Sequence, residues 1–230
     1  MFNSLSGYNV ILQERDYKIF SFLAQNEFAT AKQIKRAFFN DCSDGNCRSR
    51  LSKLLRANMI QSMRYCRDFN IYMLKSKGLE LVRQRQPDTI FINVTKYFNL
   101  DKIEHKLGLS EIRSFFELNH QFTNWQSDRT LDYLYKIENI KRYVPDALIY
   151  QNNRVLILEY ERTGKSTERI KDKMSKLKHL ISEYYRSNIS SEVLFLTEGK
   201  GIKNRYIKAG SNSLIHIHTM NEFRSGDVKI

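Results

Sequence analysis

Asp146, Glu159 and Glu161 are the residues of this chain whose types and spacing point most directly to chemistry. Two apolar runs, 143–150 and 155–162, flank the polar turn Gln151-Asn152-Asn153-Arg154, the pattern of a tight β-hairpin. If Gln151 faces Arg154, then Asp146 lies opposite Glu159, and alternation along the strand brings Glu161 to the same face. Opposed side chains have Cβ atoms about 4.5–5.5 Å apart, where like charges repel. A divalent cation would turn that repulsion into ligation, because Mg²⁺ and Mn²⁺ favour carboxylate oxygens. The alternative is a polar outer face of an antiparallel sheet. Against it, Val155 and Ile157 share the acids' face while Leu156 and Leu158 take the other, as in a strand buried on both sides.

Such a hairpin needs a scaffold, and the residues around it supply the pattern of one. Residues 102–119 read as a helix, followed by strand-like segments at 121–125 and 131–137. After the hairpin, Thr163-Gly164-Lys165-Ser166 leads into a long amphipathic helix over 167–186. A buried strand is predicted at 192–197, a helix at 201–209 and a final strand at 213–218. This order describes an α/β sandwich with a mixed sheet.

The front of the chain differs. Net charge is +13 overall with a pI near 9.6, and residues 1–86 hold 15 Lys+Arg against 7 Asp+Glu, so a polyanionic partner is expected. Helices are predicted at 14–25, 31–39 (with Thr30 as N-cap) and 46–57, then strands at 59–64 and 69–74 around Tyr65-Cys66-Arg67-Asp68. Together they describe a winged helix-turn-helix, which lays its third helix in the DNA major groove. Arg48, Arg50 and Lys53 on that helix, with Arg64 and Arg67 on the wing, are the expected DNA contacts; a merely solvated basic face is the bland alternative. Gly78 and Pro87 mark the exit, and 84–97 is the expected linker between a domain at 1–86 and another at 98–230.

At 41% hydrophobic residues the chain can build a core, and it lacks an apolar run of about 20 residues. With no secretory signal, and with the odd trio Cys42, Cys47 and Cys66 lacking a paired motif, a reducing cytoplasm is expected.

Pro145-Asp146, twelve intervening residues and Glu159-Tyr160-Glu161 resemble the PD-(D/E)xK nuclease core. That resemblance implies a metal-binding Asp146 and Glu159. Its third position is usually Lys; here Glu161 stands there, and Lys165, Lys173 or a second metal would compensate. A winged helix ahead of such a domain is similar to replication-relaxation proteins and MOBC-type plasmid mobilisation relaxases. The helix carrying Glu104, His105 and Glu111 also resembles the one that precedes their acidic hairpin, implying that these three lend a ligand or orient a water. His105 equally fits an apolar stripe with Leu109, Ile112 and Phe116. The function so implied is Mg²⁺- or Mn²⁺-dependent nicking of a specific double-stranded DNA site at an origin of transfer, alongside other mobilisation or replication proteins and compatible with a homodimer. The alternative is a non-enzymatic DNA-binding regulator of replication or transcription with a degenerate nuclease domain. Two further motifs carry rival chemistry: Tyr17 as a nucleophile, against core packing, and His216-Ile217-His218 as a metal pair resembling that of HUH nickases, against surface histidines.

Overall fold

The computed structural model describes residues 10–67, 69–86, 92–94, 99–119 and 124–228. They divide into two compact units, Met1–His120 and Gln121–Ile230.

In the first unit the order is α1 (Glu14–Asn26), β1 (Ala29–Thr30), α2 (Ala31–Phe38), α3 (Asp44–Arg56), β2 (Ile60–Arg64), β3 (Asn70–Leu74), α4 (Ser76–Arg85) and α5 (Leu100–Asn119). Local chemistry sets the starts of the second and third helices. The Thr30 hydroxyl accepts from the Gln33 N–H while the Gln33 side chain accepts from the Thr30 N–H, a reciprocal cap. Ser43 caps α3 through the Asn46 N–H. The apolar positions Ile19, Phe20, Leu23, Ile34, Leu51, Leu54 and Ile60 then meet in one core. β3 sits between β1 and β2, antiparallel to both.

Two features here depart from the sequence reading. Residues 76–85 form α4, whose Leu79 and Val82 join the core, and Ile92 from the expected linker is buried there too; 87–91 and 95–98 of that linker lie outside the described residues, as does Asp68 of the expected wing. Gly78 permits this packing, since a Cβ on it would lie 2.5 Å from the Met59 carbonyl oxygen and 2.7 Å from Leu74 Cδ1. Gly78→Ala should therefore destabilise the first unit by about 1–3 kcal/mol, read from the urea midpoint. An unchanged midpoint would show that α4 can shift freely.

The second departure concerns α5, expected with the second domain but packed within the first unit. Ile103 joins Phe28, Ile71 and Met73 in a buried cluster on the three-stranded sheet. The Leu107 carbonyl accepts from Gln33 Nε2 at 2.8 Å, Ser110 Oγ donates to the Phe28 carbonyl, and the Arg36 guanidinium stacks over Phe115 at 4.1 Å. An amphipathic stripe announces that a helix buries one face, not which partner it buries it against.

The second unit runs β4 (Asn124–Ser127), α6 (Asp128–Ile137), β5 (Ala147–Gln151), β6 (Arg154–Glu161), α7 (Thr167–Arg186), β7 (Ser190–Thr197), α8 (Lys200–Lys208), β8 (Ile215–Thr219) and α9 (Met220–Ser225). Its sheet is mixed, ordered β4-β5-β6-β7-β8, with antiparallel pairing up to β6 and parallel pairing beyond. α7 and α8 are the crossovers that parallel strands require. The hairpin pairs Gln151 with Arg154 through to Ala147 with Leu158, the register expected from its turn. Asn152 takes φ 50° in that turn, a left-handed conformation that Asn tolerates.

Residues 131–137, read as a strand, are helical: Leu131 and Tyr135, one turn apart, are both buried with α7 and the sheet. The alternation Leu131-Asp132-Tyr133 mimics a strand, yet Leu134 and Tyr135 break it and fit a helix face. Of the strand expected at 121–125, residues 121–123 lie outside the described set. α9, bracketed by the Thr219–Glu222 capping box and a left-handed Gly226, went unread in the sequence. Among the described residues, no helix is long and apolar enough to cross a membrane.

Candidate functional site

The end of the β5–β6 hairpin brings the acids together. β6 is buried along its length from Val155 to Glu161, so both glutamates leave water as they enter the sheet, with Glu159 only 1% exposed. Val155 and Ile157 pack with Ile170, Met174 and Leu177 of α7, so the face carrying the acids is the face that helix covers. Asp146, just before β5, turns its Oδ2 to accept the Tyr160 N–H at 2.8 Å.

A lysine balances these charges. Lys173, one turn along α7 from Ile170, places its Nζ 2.5 Å from Glu159 Oε2 and 3.7 Å from Glu161 Oε2. Tyr143 donates its hydroxyl to Glu159 Oε1 at 2.8 Å, and the buried Tyr206 of α8 donates to Glu161 Oε2 at 3.1 Å. Lys165 lies 3.4 Å from Glu161 Oε1 and is more exposed. Burial pushes the Glu159 carboxyl up to about 7 against the pull of Lys173, with Asp146 adding to the rise. Burial alone would discharge Lys173, but Glu159, Asp146 and Glu161 hold its ammonium above the usual range. Burial and the adjoining carboxylates also raise Tyr143 and Tyr206, which remain neutral donors.

Asp146, Glu159 and Glu161 are the residues that would hold the expected Mg²⁺ or Mn²⁺, and the two glutamates share their site with Lys173. Both oxygens of Glu159 and both of Glu161 already have an ammonium or hydroxyl partner. Among the described residues, no group of three or more His, Cys, Asp or Glu is placed to hold a metal ion. The repulsion inferred from the hairpin register is real, and Lys173 is what relieves it.

Glu104, His105 and Glu111 lie on α5 in the first unit: Glu104 accepts from the Tyr65 hydroxyl at 3.0 Å, Glu111 is 3.9 Å from Arg36, and His105 is half-buried. His216 and His218 share a face of β8, as expected, but point to separate acids, Glu192 at 3.3 Å and Glu222 at 4.0 Å. Burial and Lys203 hold His218 below its ordinary range. Tyr17 lies edge-on to Phe20 with the Arg85 guanidinium 3.4 Å from its ring centre, so it packs. The three cysteines are free, and burial pushes the Cys47 thiol up to about 11.

On the basic face, Arg48, Lys53 and Arg56 of α3 are exposed, and so are Arg64 and Arg67 of the β2–β3 turn, where Arg64 Nη2 donates to the Arg67 carbonyl at 3.0 Å. Arg50 is different. Its Nε donates to Asp16 Oδ1 at 2.8 Å and its Nη2 to Asp16 Oδ2 and to the Ile11 carbonyl. Asp16 is fully buried, so Arg50 is committed to the fold and is not a free contact for DNA.

Sequence reasoning found Lys173 but not Tyr143 or Tyr206. Tyr143 stands three residues before Asp146, a signal that was available; nothing in the sequence connects Tyr206 to Glu161, 45 residues away. Comparison with curated proteins finds no match. The family model described as replication-relaxation matches residues 20–192, well over half of the chain.

Proposed function

The chain belongs to the replication-relaxation family, and from that premise we propose that it grips double-stranded DNA at a replication or mobilisation origin and acts on its backbone there. In this reading the first unit is a winged helix-turn-helix. The order α1-β1-α2-α3 followed by an antiparallel hairpin supports it, together with the exposed cations Arg48, Lys53, Arg64 and Arg67. The second unit is read as a PD-(D/E)xK-like domain. The single observation that carries this is the convergence of Glu159 and Glu161 from one strand upon Lys173 from the next helix, beside Asp146. In this reading Asp146, Glu159 and Glu161 would hold a Mg²⁺ or Mn²⁺ ion, which would clamp the phosphate and acidify a water, while Lys173 neutralises developing charge.

A second reading, a DNA-binding regulator without cleavage activity, is favoured by the same pairing: every oxygen of both glutamates is satisfied inside the protein. One experiment separates them. Negatively supercoiled plasmid carrying the DNA that flanks the protein's own gene is incubated with the full chain, in EDTA and in Mg²⁺ or Mn²⁺. Open circles support the nicking reading, and Glu159→Ala should abolish them while duplex binding persists. Unchanged topology with a clear footprint supports the regulator. Arg48→Ala with Lys53→Ala should weaken duplex binding and lower the slope of log affinity against log salt by about 2, near 0.9 for each lost phosphate contact. A duplex affinity untouched by those changes would remove α3 from the interface.

A further inference from the structure

The second unit holds a cleft of about 970 Å³ between the end of α6 and the face of α7. Four cations, Lys136, Lys141, Arg142 and Lys176, line it against one acid, Asp132, with Tyr135 and Tyr143 in its wall. We propose that this cleft binds a short stretch of single-stranded DNA, holding its phosphates with the lysines and Arg142 and an unpaired base against Tyr143. The proposal rests on the protein acting on DNA, and it needs no cleavage.

Charge and shape both favour this occupant. Among the described residues, Lys136 and Lys176 pair with solvent-exposed aspartates one turn away, Asp132 and Asp172, each at 2.6 Å. Exposed pairs of that kind contribute about 0–1 kcal/mol, so a phosphate can recruit both lysines cheaply. Arg142 is better placed. Its Nε lies 2.7 Å from Glu183, and its guanidinium lies 5.7 Å from the Tyr135 ring centre and 5.6 Å from that of Tyr184, which orients the planar group. Lys141 is exposed beside it.

A B-form duplex, roughly 20 Å across, is too broad to enter a cleft of this volume, whereas one strand is not. Cations along a groove with aromatic rings in its wall form the combination that holds unpaired nucleic acid, by phosphate neutralisation and base stacking. The exposed Ile140 extends that apolar surface at the rim. Tyr143 connects the cleft to the acid cluster, because it lines the cleft and donates its hydroxyl to Glu159. A strand lying there would run next to the carboxylate–lysine network, where an opened origin would have to be presented.

The test uses the full-length protein with two fluorescent probes, an oligothymidylate of about 20 nucleotides, longer than the roughly 4–16 that stacking grooves cover, and a duplex from the DNA flanking the gene. Lys141→Glu with Lys176→Glu should weaken oligothymidylate binding at least about tenfold and lower its salt slope by about 1.4, at 0.7 for each lost contact on a single strand. Duplex binding should stay within twofold of wild type. Arg48→Ala with Lys53→Ala should do the reverse. Tyr143→Leu and Tyr143→Phe test the stacking: it predicts a loss for the first and none for the second, which keeps the ring. Single-strand affinity unchanged in the Lys141/Lys176 variant, with a native circular-dichroism spectrum, overturns the proposal. Equal loss of both probes also overturns it, since the cleft would then be part of a general polyanion surface. If wild type binds oligothymidylate but not the duplex, the reading of the first unit fails while the cleft stands.

Discussion

Replacing Lys173 by alanine will cost the second unit about 3–5 kcal/mol of stability, the penalty typical of stranding one member of a buried ion pair. Glu159 is 1% exposed, and Lys173 is its closest cation at 2.5 Å. Without the ammonium, Tyr143 is the one neighbour among the described residues still donating to that carboxylate, and Asp146 continues to repel it. Urea unfolding followed by tryptophan fluorescence is the natural measurement, because the single tryptophan, Trp125, lies on β4 of the same sheet. The double variant Lys173→Met with Glu159→Leu should recover most of the loss, since replacing a whole buried pair with apolar groups is often neutral. A Lys173→Ala protein within about 1 kcal/mol of wild type would mean that Glu159, its carboxyl already raised to about 7, takes up a proton in place of remaining a stranded anion, or that water reaches it.

Arg50→Ala is expected to be as damaging, in the other unit. Asp16 is fully buried and receives two hydrogen bonds from Arg50 and one from the Gln13 N–H. Deleting the guanidinium leaves an anion with a single backbone donor, again worth about 3–5 kcal/mol. Lysine will not substitute, because it lacks the planar fork that grips both oxygens while a third bond reaches the Ile11 carbonyl. Arg48→Ala, two positions away and exposed, should stay within about 0.5 kcal/mol of wild type while weakening DNA binding. A protein in which Arg50→Ala lowers DNA affinity but leaves the thermal midpoint unchanged would reverse these assignments.

The two arginines show how far a sequence can be read. Both sit early in one basic helix, and charge counting treats them alike. Only Asp16, 34 positions earlier on α1, separates them. The cluster around Glu159 repeats the lesson. Its acids came from one hairpin and were legible, because a strand's side-chain period and a tight turn are local properties. Lys173 was legible as a nearby cation on a helix that had to return to the sheet. Tyr206 was not, since its approach to Glu161 depends on how α8 settles after β7.

By itself the sequence determined the hairpin and its register, most helix and strand positions, the basic character of the front of the chain, and the crowding of acids that demanded a cation. Tertiary structure decided that Lys173 pairs with both glutamates, that Arg50 faces inward, and that α5 packs with the first unit. Periodicity and capping act over one or two turns and are written in neighbouring residues. Which charge neutralises which, and which face covers which, depend on packing between segments far apart in the chain, where desolvation makes each unmet charge expensive.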